Sequence, residues 1–199
     1  EELQLETSGT NGAGLDEGEL TEAVLNLSVN TFAVEAQAKT RASIPSSTPE
    51  METAQEKEVH NIWVFQYDAA TKELLIKPRY YTITDQAMLQ ELPVYLKAGV
   101  PSLVYAVTNT GYDNWANDGT DASWQKFKDL EQLKKQTLPT AFPLRSIDKV
   151  SIPMAGASGQ VEVTTGITVT VPVTRMYAKL KVKVEMLNAE MELNNVNVR

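Results

Sequence analysis

From Ile167 to Met186 the chain reads ITVTVPVTRMYAKLKVKVEM, twenty residues without Gly, Asn or Asp, and its apolar alternation changes parity halfway along. Ile167, Val169, Val171 and Val173 are odd; Met176, Ala178, Leu180, Val182 and Val184 are even. Strand side chains alternate between faces with period two, so a parity change without a turn signal predicts a bulge or bend that swaps the buried face. The break falls near Thr174 and Arg175. Strands usually run about five or six residues, so a tract this long predicts a strand that turns a sandwich corner from one sheet to the other. The alternative is two ordinary strands joined by an unmarked turn. Pro172 has no N–H to offer a ladder, which predicts that its half of the tract lies on an edge.

Composition narrows the chemistry. The 199 residues, 42% of them apolar, suffice for one good-sized domain with an arm. There is no cysteine and one histidine, His60, which excludes a disulfide framework, zinc sites built on several His or Cys ligands, and Ser-His-Asp triads away from His60. No apolar run reaches the roughly eighteen residues that cross a bilayer as a helix. The chain begins at Glu1 rather than Met, as expected if an export segment precedes this numbering.

Charge is concentrated in an arm. Residues 1 to 58 hold twelve of the 26 carboxylates against the cations Lys39, Arg41 and Lys57, a net −9; the remaining fifteen cations and fourteen carboxylates leave the rest at +1. Such a tract repels nucleic acid and anionic lipid, so neither is an expected partner. Residues 1 to 19 read as a solvated acidic leader. Within the arm, Ala23 to Val34 (AVLNLSVNTFAV) carries a strand signal, with Leu25, Leu27 and Val29 on one parity, Phe32 and Val34 on the other, and a bend at Asn30. A lone strand is not stable, so this one must join a sheet made by the rest of the chain. Residues 42 to 58, rich in Ser, Pro, Thr and Glu, read as a flexible linker, and Arg41 at its start suits a trypsin-like protease.

The body is expected over residues 59 to 199. Ile62, Trp63, Val64, Phe65 and Tyr67 are apolar on both parities, the pattern of a central strand covered on both faces. Asp68 to Lys72 then predicts a turn into Glu73 to Lys77, and Gly99 to Ser102 predicts a second hairpin between Leu92–Lys97 and Leu103–Thr108. Trp124, Phe127, Leu130 and Leu133 recur at threes, predicting one surface helix over about 121–136, capped by Asp121 or Ser123 and ended by Pro139. Its apolar stripe is expected to pack on a sheet.

The loop Asn109 to Ser123 gathers Asp113, Asn114, Asn117, Asp118 and Asp121, oxygen donors of the kind calcium takes. It departs from the EF-hand spacing, and turn formation with helix capping is the expected use, with no metal site. Tyr112, Trp115 and Trp124 form a candidate sugar-stacking platform. No paired carboxylates on rigid elements suggest catalysis, and no cofactor is expected. Lys179, Lys181 and Lys183 alternate on one face, as a solvated surface or a protected edge would.

Thr40-Arg41-Ala42 after an N-terminal strand, Ile152-Pro153-Met154-Ala155-Gly156, and Val173-Thr174-Arg175-Met176-Tyr177-Ala178-Lys179-Leu180 occur in an order that resembles the N-terminal domain of Bacteroidetes-type fimbrillins, the type V pilus subunits. The resemblance implies a transthyretin-like Greek-key β-sandwich of about seven strands and a non-enzymatic subunit of a cell-surface fimbria. It also implies export as a lipoprotein precursor to the outer membrane, with adhesion targets on a host or on other bacteria. It makes Arg41 and Ala42 the site of an arginine-specific protease. The segment 23–34, bearing Leu25, Leu27, Val29, Phe32 and Val34, becomes the strand removed so that a neighbouring subunit's strand can enter. A second domain typical of the family is not contained in residues 1–199. On this reading the strand at 23–34 and the first half of the 167–186 tract should be neighbours. The competing expectation is a surface lipoprotein module that binds glycan through Tyr112, Trp115 and Trp124.

Overall fold

The computed structural model describes residues 15, 18–30, 58–111, 113–136 and 152–176. Eight strands dominate: β1 Leu20–Val29, β2 Asn61–Asp68, β3 Arg79–Thr82, β4 Leu92–Lys97, β5 Pro101–Thr108, β6 Met154–Ala157, β7 Val161–Glu162 and β8 Thr168–Arg175. They are joined by a 3-10 turn at Gln86–Leu89 and the helices α1 Asp121–Gln125 and α2 Leu130–Lys135. The strand order is β3-β2-β5-β6-β8-β1-β4, with β7 also on β5. Every pairing is antiparallel except β1 with β8. The sheet curls until its two ends face each other: the Tyr95 N–H of β4 donates to the Tyr81 hydroxyl of β3 at 3.4 Å. A mainly β sandwich was expected, and the described residues form one, with eight strands rather than about seven.

Two hydrophobic cores lie on opposite faces of β2. Ile62 and Val64 point inward with Leu25, Leu27, Val94, Leu96, Val104, Val169, Val171 and Val173. Trp63, Phe65 and Tyr67 point the other way, onto Trp124, Phe127, Leu130 and Leu133. The double-sided apolar pattern of β2 thus reflects a strand between a sandwich interior and a helical cover.

The turn after β2 forms where expected, with the Asp68 N–H on the Glu73 carbonyl at 2.9 Å and a bridge between Tyr67 and Leu74. Beyond that bridge Glu73 to Lys77 makes no strand, and β3 at 79–82 is what pairs with β2. The second expected hairpin does not exist. Leu92–Lys97 pairs with β1, whereas β5 pairs with β2, β6 and β7. Gly99, at φ 71°, and Pro101 do redirect the chain, but from one layer to the other rather than back alongside itself. Local turn chemistry marks a change of direction; which edge the next strand meets is decided by burial on the far side of the core.

The single helix over 121–136 is two helices. Phe127 O accepts from the buried Tyr67 hydroxyl at 2.9 Å and Lys128 O from the Leu74 N–H at 2.8 Å, so these carbonyls serve β2 and its turn instead of a continuous helix. Asp129 then starts α2 by accepting from the Gln132 N–H at 2.8 Å. Thr120, not Asp121 or Ser123, occupies the N-cap of α1. The apolar stripe nevertheless packs on the sheet as expected, because all four of its members are buried in the second core. Pro139 lies outside the described residues.

Pro172 corrects another expectation. Its strand lies between β6 and β1, inside the sheet. The Val24 N–H bonds Ile167 O and the Asn30 N–H bonds Val173 O, so odd residues of β8 serve β1 and the nitrogen of Pro172 points to the β6 side. There the β6 ladder covers only Val173 to Arg175. The missing N–H therefore falls where pairing has already stopped, and an interior strand tolerates a proline. The expected change of buried face is not seen among the described residues: β8 ends at Arg175 and Met176 is exposed, and the second half of the tract, with Lys179, Lys181 and Lys183, lies outside them.

Candidate functional site: the place of β1

The alternation Ala23, Leu25, Leu27 is buried, and the intervening Glu22, Val24, Asn26 and Ser28 face outward or half outward. That period-two pattern holds β1 extended with one face in the inner core. The strand is held on both flanks, antiparallel to β4 from Leu20↔Lys97 to Leu25↔Leu92 and parallel to β8 from Val24↔Thr168 to Val29↔Val173. The segment at 23–34 and the first half of the 167–186 tract are thus direct neighbours, as expected. Described residues carry β1 from Leu20 to Val29; Phe32 and Val34 lie outside them, as do Arg41 and Ala42.

Among the described strands β4 alone lies beyond β1, and its outward N–H groups are absent or already taken. The Ala98 N–H bonds Glu19 O, so by antiparallel alternation Leu92, Val94 and Leu96 bond β1 while Pro93, Tyr95 and Lys97 turn their backbones outward. Pro93 has no donor. The Tyr95 N–H is taken by the Tyr81 hydroxyl. The amide of Gln66 grips Lys97 twice, accepting from its N–H at 2.7 Å and donating to its carbonyl at 2.9 Å, and also donates to the Ser102 hydroxyl at 2.9 Å. A strand arriving from outside finds no available N–H from Pro93 to Lys97 and cannot build a two-way ladder there. The slot filled by β1 has an unmade ladder on both sides once β1 is gone.

Gln66 and Tyr81 were not singled out from the sequence. A signal was present for Gln66, the one polar residue inside an otherwise apolar run from Ile62 to Tyr67. Its 0% exposure demands partners, and a planar amide matches one backbone N–H and C=O pair.

The aromatic and acidic loop is built differently from the expected platform. Trp124 is 5% exposed and donates its Nε1–H to Asp121 at 3.1 Å. Trp115 packs edge-on against Phe65, Phe127 and Trp63, with ring centroids 6.2, 5.1 and 6.5 Å away. Trp124 therefore belongs to the second core and half-buried Trp115 packs against it, while Tyr112 lies outside the described residues. The oxygen donors make turns: Asn117 accepts from the Gly119 N–H, and Asp118 accepts from the Thr120 hydroxyl at 2.6 Å and its N–H at 2.9 Å. Among the described residues no three His, Cys, Asp or Glu side chains converge as metal ligands.

These bonds leave a measurable trace on Asp118. The Thr120 hydroxyl and N–H, then the Ser123 hydroxyl, lower its pKa from 3.8 to about 2. Because the folded value is depressed, the stabilisation is present above the unfolded value and is lost as pH falls through about 2. A carbon-detected NMR titration is expected to place the Asp118 midpoint near 2, and Thr120→Val to move it back toward 3.8. A wild-type midpoint at the ordinary carboxylate value would contradict this turn.

Neither protein-family models nor curated relatives match the sequence. Among solved structures, the chain is similar to the tip fimbrial protein Mfa3 from Porphyromonas gingivalis with C-terminal truncation, at 10% identity and a TM-score of 0.44, over 79% of this chain and 48% of that one. It is also similar to a fimbrial assembly protein from Parabacteroides distasonis, at 13% identity and a TM-score of 0.35, over 79% and 53%. These likenesses are to fimbrial proteins of Bacteroidetes. The chain spans about half the length of each.

Proposed function

We propose that the protein is a structural subunit of a cell-surface fimbria, exported as a lipoprotein precursor and polymerised by exchange of β1 after cleavage at Arg41–Ala42. The observation that carries this reading is the position of β1. It is flanked by ladders on both sides in a layer whose terminal described strand, β4, offers an added strand no N–H from Pro93 to Lys97, which favours substitution as the route for an incoming strand. Loss of β1 withdraws Leu25 and Leu27 from the inner core, each worth about 1.5–3 kcal/mol, and uncovers the β4 and β8 side chains of that core. It also leaves β4 and β8 with unpaired backbones. An apolar strand from a neighbouring subunit restores both terms by β-augmentation. Cleavage after Arg41 makes β1 a separate peptide, so its departure no longer has to drag the body with it.

Limited digestion with an arginine-specific protease tests this. The expected result is one early cut after Arg41, followed on incubation by oligomers that an excess of a synthetic peptide of residues 20–34 suppresses. Arg41→Ala should block both steps. A cut body that stays monomeric, or an Arg41 bond that survives while other bonds are cut, would overturn the reading.

A further inference from the structure

We infer that the outer edge of β3, the last strand of the described sheet, carries a binding groove for a neutral saccharide. The groove, about 300 Å³ in volume, is open and lined by the rings of Tyr80, Tyr81 and Tyr95 and by Arg79, Asp113 and Asn117. It is distinct from the β1 slot and does not depend on the fimbrial reading. Tyr80 and Tyr81 point to opposite faces of β3, so the groove wraps the strand's edge rather than lying on one face. Tyr95 comes across from β4, and at 49% exposure it is one of two large apolar side chains left in water among the described residues. The Tyr80 ring rests on Trp63 at 5.3 Å, so its position is fixed by the core.

The lining is the complement of a sugar ring. A pyranose presents C–H faces that stack on aromatic rings and an equator of hydroxyls that match planar forked groups. Arg79 and Asp113 are two such groups, while the amide of Asn117, which also lines the groove, is already engaged with the Gly119 N–H and Pro78 O. Their charges, one positive and one negative, cancel, which favours an uncharged ligand over a sialylated one. Burial and the Asp113 carboxylate both raise the Tyr80 pKa, keeping its hydroxyl protonated as a donor.

An extended peptide fits less well. The Ile83 N–H bonds His60 O, so Arg79 and Tyr81 face β2 and only Tyr80 and Thr82 turn their backbones outward. Asn117 already donates to Pro78 O at 3.2 Å, which closes one end of the edge. Two outward residues make too short a ladder to hold a strand.

The full chain should be screened by saturation-transfer difference NMR against glucose, galactose, mannose, N-acetylglucosamine, lactose and sialyllactose, with an extended polyvaline-threonine peptide as comparator. The expected result is transfer from the tyrosine ring protons to at least one neutral sugar at concentrations up to about 10 mM, weakened about tenfold by Tyr95→Ala and by Asp113→Asn. Circular dichroism should be unchanged in both variants, since Tyr95 is exposed and its backbone bond to Tyr81 survives the substitution. No transfer to any neutral sugar, a preference for sialyllactose or the peptide, or binding indifferent to both substitutions would overturn the inference. Fimbrial assembly after Arg41 cleavage should be untouched by Tyr95→Ala, which separates failure here from failure of the strand-exchange reading.

Discussion

Gly156→Ala is expected to be among the most damaging single substitutions in this chain, costing about 3 kcal/mol. A Cβ built on Gly156 lies 1.8 Å from Pro172 O, 2.7 Å from Pro172 C and 2.9 Å from the Val173 Cα. All three are backbone atoms of an interior strand, so no side chain can rotate away. The clash can be relieved only by lifting β6 off β8, which breaks the ladder that joins the two layers of the sheet. The melting temperature should fall by roughly 6–12 °C. Gly159→Ala is the control: nothing lies within 4 Å of its added methyl and its φ is not in the left-handed region. It should be neutral or stabilising by up to about 1 kcal/mol, through the unfolded chain. Equal melting temperatures for the two variants would show that the β6–β8 approach is looser than described.

The second large effect is expected at Gln66. Gln66→Leu keeps the volume and removes a buried amide that holds the Lys97 N–H and C=O and the Ser102 hydroxyl. Ser102 retains its bond to Val100 O at 2.7 Å, so the cost falls mainly on Lys97. The Lys97 groups are part-buried and water compensates for some of the loss, so urea denaturation should report a loss of about 1–3 kcal/mol. A further consequence follows from position. Freed Lys97 groups reopen the outer edge of β4, and the variant should self-associate in analytical ultracentrifugation without any protease treatment. Tyr81→Phe removes only the 3.4 Å bond to the exposed Tyr95 N–H and should lose less than about 1 kcal/mol. A monomeric, fully stable Gln66→Leu protein would mean that β4 is protected by something other than this amide.

Much of the fold was legible before any coordinates. The alternations named Leu25 and Leu27 of β1 and Val169, Val171 and Val173 of β8, all buried, with Val29 and Ile167 half-buried, and the double-sided apolar run of β2 announced a strand between two layers of cover. Adjacency of β1 and β8 was expected too, although it came from the resemblance and not from periodicity. What failed shares one cause. The hairpin between β4 and β5, the continuous helix over 121–136 and the edge placement of Pro172 were all inferred from neighbours in sequence, and all three were decided by partners far along the chain. Tyr67 and Leu74 claim the carbonyls of Phe127 and Lys128; β1 claims β4; the end of β6 leaves room for Pro172. The indole of Trp124 illustrates the same limit, because an aromatic residue beside a polar loop looks exposed until the sheet that buries it is known.

Sequence by itself determined which residues of each strand face inward, because a strand's side chains alternate whatever its neighbour is. It also determined the acidic arm and the chemistry that a chain with no cysteine and one histidine lacks. Only the tertiary structure decided strand order, since every strand edge offers the same N–H and C=O groups and the choice among them is made by how the two cores close. The closure of β4 by Gln66 and Tyr81, the contact that forbids a side chain at Gly156 and the groove beside β3 all arise where residues distant in sequence meet.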